Sequence, residues 1–117
     1  MKFESGIEQF NRGEFFETHE TWEEIWLAAP EPEKTFLQGM IQVAAAFHHY
    51  TRGNIRGSRS LLAAGLKKLE SFPSDHRGIR LDEIRGAVKE WIAALAAGRD
   101  LGKSCIPRIK HAATPRR

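Results

Sequence analysis

A histidine and four glutamates stand among four large aromatic residues in the stretch Phe15-Phe16-Glu17-Thr18-His19-Glu20-Thr21-Trp22-Glu23-Glu24-Ile25-Trp26. Imidazoles and carboxylates move protons at neutral pH and ligate divalent metals. In a helix, His19 and Glu23 lie four residues apart on the stripe that also carries Phe15, Trp22 and Trp26, so their polar groups are expected to face the interior. Ionisable groups turned inward need partners, and that requirement makes this stretch the first candidate site.

The spacing stops short of any recognised catalytic signature. His-Glu-x-x-Glu at 19 to 23 departs from the zinc-protease pattern His-Glu-x-x-His at the second imidazole. Di-iron bundles pair Glu-x-x-His motifs, and no histidine follows a glutamate at that spacing here. His19 and Glu23 are candidate ligands for a divalent metal, with two further donors required from elsewhere. Metal-assisted hydrolysis would then use Glu20 or Glu23 as the base. No Gly-rich phosphate loop, nucleophile elbow or Cys-His nucleophile pair is present, so the sequence names no reaction.

Five helical segments must position these groups, and no period-2 strand separates them. The first covers about Glu4 to Asn11, with Gly13 as its C-terminal signal. The second runs from about Glu14 to Ala28 and is stopped by Pro30 and Pro32. The third, from about Pro32 to Arg52, carries Phe36, Met40, Val43 and Phe47 on one edge and Leu37, Ile41, Ala44 and His48 on the other. Gly53 ends it, and Asn54 is an N-cap for the fourth, about Ile55 to Ser71, with Leu62, Leu66 and Leu69 inward. A polar loop follows to Arg80. The fifth, about Asp82 to Ala97, places Ile84, Val88, Trp91, Ile92 and Leu95 at the 3.6 period, and Gly98 closes it.

If helices two and three form an antiparallel hairpin about Pro30, His19 lies roughly 16 Å from the turn and level with Ile41 or Gln42. His48 and His49 then fall about 10 Å farther along. Gln38 and Gln42 are therefore expected to meet His19, Glu20 and Glu23. The result would be a buried hydrogen-bond network that fixes the fold, or a pocket in which Trp22 or Trp26 walls off a small ligand or metal ion. Trp22, Trp26 and Trp91 otherwise read as core residues whose indole N–H groups seek acceptors.

Length and charge bound the rest. The chain has 117 residues, 41% of them hydrophobic and 28% charged, which fits a single domain able to bury a core. One cysteine, Cys105, permits no internal disulfide framework, and no window reaches the roughly 20 apolar residues of a membrane span. A cytoplasmic location without membrane contact is expected. The net charge of +3 divides unevenly: residues 1–50 hold 3 Lys and Arg against 9 Glu, and residues 51–117 hold 15 against 6 acids. A basic second half can meet an acidic partner or nucleic acid, although aromatic interleaving of the kind used on single strands is missing. Arg52, Arg56 and Arg59 around Asn54 fit a solvated basic face or an anion site. An exposed aromatic patch would equally suit a homo-dimer contact. Residues 1–98 are read as one helical bundle domain and 99–117 as a basic tail, extended or partly docked through Ile106 and Ile109.

Three linked segments bear a resemblance. Phe10-Asn11-x-Gly13-x-Phe15-Phe16-x-x-His19-Glu20-x-x-Glu23-x-x-Trp26, Leu37-Gln38-Gly39-x-Ile41-Gln42-x-Ala44-Ala45-Ala46-x-His48 and Gly53-Asn54-x-x-Gly57 together resemble the small bacterial and archaeal family known as domain of unknown function 309, over about residues 7 to 97. The resemblance implies an all-α fold, a single compact helical bundle, and no established activity. Carried over by position, its motif residues make His19, Glu20, Glu23, Trp26, Gln38, Gln42, His48 and Asn54 the candidate ligand-binding residues, without assigned catalytic roles.

Overall fold

Helix α1 spans Lys2–Asn11, α2 Phe15–Ala28, α3 Glu33–Thr51, α4 Ile55–Leu69 and α5 Leu81–Ala96 in the computed structural model, which describes residues 2–112. The fold is all-α, as the periodicity predicts. Helix α1 begins at Lys2 rather than Glu4 and α4 ends at Leu69 rather than Ser71, differences of the size that fraying termini produce. No helix of the described residues is long and apolar enough to cross a membrane.

Each helix is amphipathic for a local reason. Helix α1 buries Phe3, Ile7 and Phe10, spaced by one turn each, and sets Gly6 against Trp22 of α2. Trp22 is fully buried, stacks on Phe3 with ring centroids 5.5 Å apart and donates its indole N–H to the Phe3 carbonyl at 3.1 Å. Helix α2 stops where Pro30 forces Ala29 into an extended conformation, with ψ at 136°. Helix α3 is the central element and buries residues around most of its circumference, including Phe36, Leu37, Met40, Val43, Ala44 and Phe47. Helices α2 and α4 flank it.

The turn from α3 to α4 occupies three residues, Arg52, Gly53 and Asn54. Gly53 adopts φ of +82°, so its N–H reaches the Tyr50 carbonyl at 3.0 Å and the Asn54 N–H reaches the His49 carbonyl at 2.8 Å. That pair of bonds is a Schellman cap, and Gly13 and Gly98 close α1 and α5 with the same pattern. Asn54 then caps α4 by accepting the Gly57 N–H at 3.0 Å. Helix α4 crosses α3 at Gly39 and Gly65. A Cβ on Gly65 would lie 2.9 Å from the Gly39 carbonyl oxygen, so the two backbones approach as closely as only glycine permits.

The segment expected to be a polar loop before α5 holds a small antiparallel hairpin. Strand β1 is Asp75–His76 and β2 is Ile79–Arg80, joined by Arg77 and Gly78 at φ of 53° and 78°. Two consecutive left-handed residues form the turn that matches strand twist. Ile79 is fully buried and forms a bridge with His111, while Arg80 N–H bonds the Lys110 carbonyl at 2.9 Å. The chain after α5 thus returns across the bundle. Trp91 donates to the Cys105 carbonyl at 3.0 Å, and Ile109 is 3% exposed. Asn11 clamps that segment with both ends of its amide, accepting Ile109 N–H at 2.7 Å and donating to the Ile109 carbonyl at 2.9 Å. Residues 113–117, including Pro115 of the expected extended tail, lie outside the described residues.

Candidate functional site

The candidate residues separate into three places. Glu20 and Glu23 are exposed on the outer face of α2, where they line a shallow groove with Glu24 and Leu27. This corrects the inward orientation expected for Glu23. The buried edge of α2 runs through Phe15, Thr18 and Trp22, one residue out of step with the stripe through His19. Thr18 can be interior because its hydroxyl donates to the Glu14 carbonyl of its own helix at 2.8 Å.

Gln42 turns the other way. Its Cβ lies 3.4 Å from where a side chain on Gly65 would begin, which places Gln42 at the crossing with α4. Its carbonyl oxygen Oε1 is buried without a partner. Among the described residues, no hydrogen bond joins His19, Glu20 or Glu23 to Gln38 or Gln42. The network expected between helices two and three is absent there, because a helix cannot present the same residues to α2 and to α4. Trp26 is half-buried near the hairpin turn, with Lys34 Nζ 4.3 Å above its ring and bonded to its carbonyl at 2.8 Å. Its indole Nε1 is buried and unpartnered.

His19 and His48 come together. With Phe16, Ala45 and His49 they line a cleft of about 170 Å³ between α2 and α3. His48 thus lies nearer His19 than the rise per residue along the hairpin implies, because helical side chains tilt toward the N-terminus of their own helix. In an antiparallel pair His19 leans away from the connecting turn and His48 leans toward it, so the two imidazoles approach each other.

Phe16 is the ring that joins them. It stacks on His19 at 6.4 Å and 16° between planes, and meets His48 at 5.5 Å and 45°. His48 and His49 lie edge to face at 6.0 Å. Asn54, the cap of α4, reaches back to Nδ1 of His49 at 3.1 Å, so it supports the cleft from behind. Nδ1 of His19 is buried and has no hydrogen-bond partner. Burial holds the His48 pKa below its ordinary value, and the positive charge of Arg52 and the neighbouring His49 push it the same way, against an opposing pull from Glu17. These effects all favour the neutral imidazole of His48 except the pull from Glu17.

Sequence reasoning missed Phe16 and Ala45 as cleft residues and set His49, with His48, farther along the hairpin. The signal was present in spacing: Phe16 and His19 are three apart on α2, and Ala45, His48 and His49 are three and four apart on α3. Ala45 supplies the space, since a larger residue there would fill the cleft. Among the described residues, no group of three or more His, Cys, Asp or Glu side chains is placed to hold a metal ion.

The family described as "Domain of unknown function (DUF309)" matches residues 3–61, about half of the chain, and these residues contain the whole histidine cleft. Two relatives are similar over most of the chain. One is an uncharacterized protein of Aquifex aeolicus (strain VF5), 32% identical over 90 residues that make up 76% of this chain and 27% of that protein. Another is the uncharacterized protein YpuF of Bacillus subtilis (strain 168), 31% identical over 97 residues, 75% of this chain and 54% of the relative. The match thus spans about half of one relative and about a quarter of the other. The chain belongs to the DUF309 family.

Proposed function

We infer that this member of the DUF309 family is a small-ligand binding protein whose site is the histidine cleft between α2 and α3. The observation that carries the reading is the cleft lined by Phe16, His19, Ala45, His48 and His49, beside which the buried Nδ1 of His19 is left without a partner. A buried polar atom without a partner costs about 1–3 kcal/mol, and a ligand that pairs with it recovers much of that, worth about tenfold in affinity.

The chemistry of the walls selects the ligand class. Three imidazole rings and one phenyl ring favour a flat aromatic body, and a cleft of about 170 Å³ accepts one or two fused rings. Nδ1 donates or accepts according to tautomer, so a heteroaromatic ring carrying both an N–H and a bare ring nitrogen pairs with either form. Residues 1–98 are the unit we assign to this role, with 99–117 as an accessory segment. A cytosolic location is the reading supported by the single exposed thiol of Cys105.

Benzimidazole and indole are suitable probes, read by ligand-observed saturation transfer and by the shift in thermal midpoint. The expected result is benzimidazole binding that falls at least tenfold in Ala45→Leu, a substitution that fills the cleft. Indole, lacking the bare nitrogen, separates the tautomers. Absence of benzimidazole binding at millimolar concentration, or binding indifferent to Ala45→Leu, would overturn the reading.

A further inference from the structure

A larger cavity than the histidine cleft, about 400 Å³, lies between the α1–α2 turn, the end of α3 and the returning segment after α5. Its apolar wall is made by Phe10 and Phe15, packed edge to face with centroids 5.0 Å apart, and by half-buried Ile106. Its polar wall is cationic, formed by Arg12, Lys103 and Arg108. One carboxylate opposes them: Glu14 takes Arg12 at 3.2 Å. Arg108 uses one nitrogen on the Asn11 carbonyl at 3.1 Å, a neutral acceptor that leaves its charge uncompensated. The Lys103 ammonium has neither a hydrogen bond nor an ion pair among the described residues, its carbonyl alone being engaged by the Ile106 N–H at 3.1 Å.

We propose that this pocket binds an amphiphilic organic anion, a phosphate or carboxylate head on an aromatic or branched apolar body. The head is held by Lys103 and Arg108 and the body rests on Phe10, Phe15 and Ile106. Both halves are needed. Cations on an open surface bind anions weakly because water screens them, whereas a concave site with an apolar wall excludes part of that water and strengthens the contact. Free N–H groups at the start of α2 add to the same field, since Phe15 opens that helix and Glu14 makes no side-chain cap there.

The site depends on the returning chain. Lys103, Ile106 and Arg108 enter it only because Asn11 holds Ile109 on both sides of its peptide and Trp91 holds Cys105. Residues 3–61 matched by the family contribute the wall from α1 and α2, and the residues beyond them contribute the two cations assigned to the head group. This site is separate from the histidine cleft, and its test uses no cleft residue.

Phenyl phosphate, inorganic phosphate and phenol are titrated against the full chain, with binding read by calorimetry and by amide shifts of residues 10–15 and 103–108. Phenyl phosphate is expected to bind at least tenfold more tightly than either fragment, to weaken as salt rises, and to lose at least fivefold in Lys103→Gln. Because the Lys103 ammonium makes no hydrogen bond or ion pair among the described residues and its carbonyl bond survives the substitution, that variant keeps the wild-type thermal midpoint. Equal binding of phosphate and phenyl phosphate would reduce the site to a surface charge effect and overturn the proposal. So would phenyl phosphate binding unchanged in Lys103→Gln, or shifts confined to other parts of the chain.

Discussion

Gly65→Ala and Gly86→Ala make the same chemical change on two helices, and the packing of this fold gives them opposite signs. At Gly65 the new Cβ would meet the Gly39 carbonyl oxygen at 2.9 Å and Val43 Cγ2 at 3.1 Å, whereas at Gly86 nothing lies within 4 Å. The Gly39 oxygen belongs to the backbone of α3 and cannot rotate away, so α3 and α4 must separate by roughly half an ångström through a close-packed contact. Overpacking of this kind costs about 1–3 kcal/mol. Replacing glycine by alanine inside a helix returns about 1 kcal/mol at both sites. Gly86→Ala is thus expected to stabilise by about 1 kcal/mol, and Gly65→Ala to destabilise by up to about 2 kcal/mol. Their difference isolates the crossing contact, because helix propensity cancels. At about 4 °C per kcal/mol for a chain of this size, it corresponds to a gap of about 4–12 °C in thermal midpoint. Urea unfolding of the two variants at shared slope measures it. Unfolding free energies that agree within about 0.5 kcal/mol would refute a close glycine crossing of α3 and α4.

Three further outcomes follow from named contacts. Asn11→Ala removes both bonds to Ile109 and is expected to cost about 1–3 kcal/mol and to speed amide exchange at Ile109, so unchanged protection there would contradict the clamp. Burial pushes the Glu33 carboxyl up, but hydrogen bonds from Arg77 at 3.0 Å and His76 at 2.8 Å outweigh it and bring its pKa below the ordinary 4.5. The stability that wild type holds over Glu33→Gln is therefore full above about pH 4.5 and disappears as pH falls through the lower folded value; an advantage that grows on acidification would contradict this assignment. His48 is also depressed, by burial and then by Arg52, so the unfolded chain takes up the proton first and stability declines as pH falls from the ordinary 6.5 through the folded value. His48→Gln should flatten that decline in stability measured between pH 7.5 and 5, and an undiminished slope would exclude His48 as its source.

Most of the bundle is legible in the sequence because its signals are local. Ile84, Val88, Trp91 and Leu95 follow one period, and Gly13, Gly53, Gly98 and Asn54 mark helix ends through bonds that reach only a few residues along the chain. Helix α2 was harder. Aromatic residues occur on several of its sides, so the choice between an interior stripe through His19 and one through Thr18 rests on what α1 and α3 bring against it, and Trp22 bonding Phe3 decides that. Glu20 and Glu23 consequently face water while His19 sits at the border of the core. Strands of two residues show no periodicity, so the hairpin at 75–80 emerges only when Ile79 finds the core and residues 110–112 pair beside it. The large cationic cavity escaped for the same reason, as its walls are nearly a hundred residues apart in sequence.

The most direct test of the histidine cleft is nitrogen-15 NMR of the His19 imidazole during titration with benzimidazole, in wild type and in Ala45→Leu. A saturable shift of the His19 Nδ1 resonance in wild type, absent from the filled variant, is the result this account predicts. A Nδ1 resonance that stays fixed to millimolar benzimidazole would contradict it, and would mean that the unpartnered nitrogen awaits no ligand of this class.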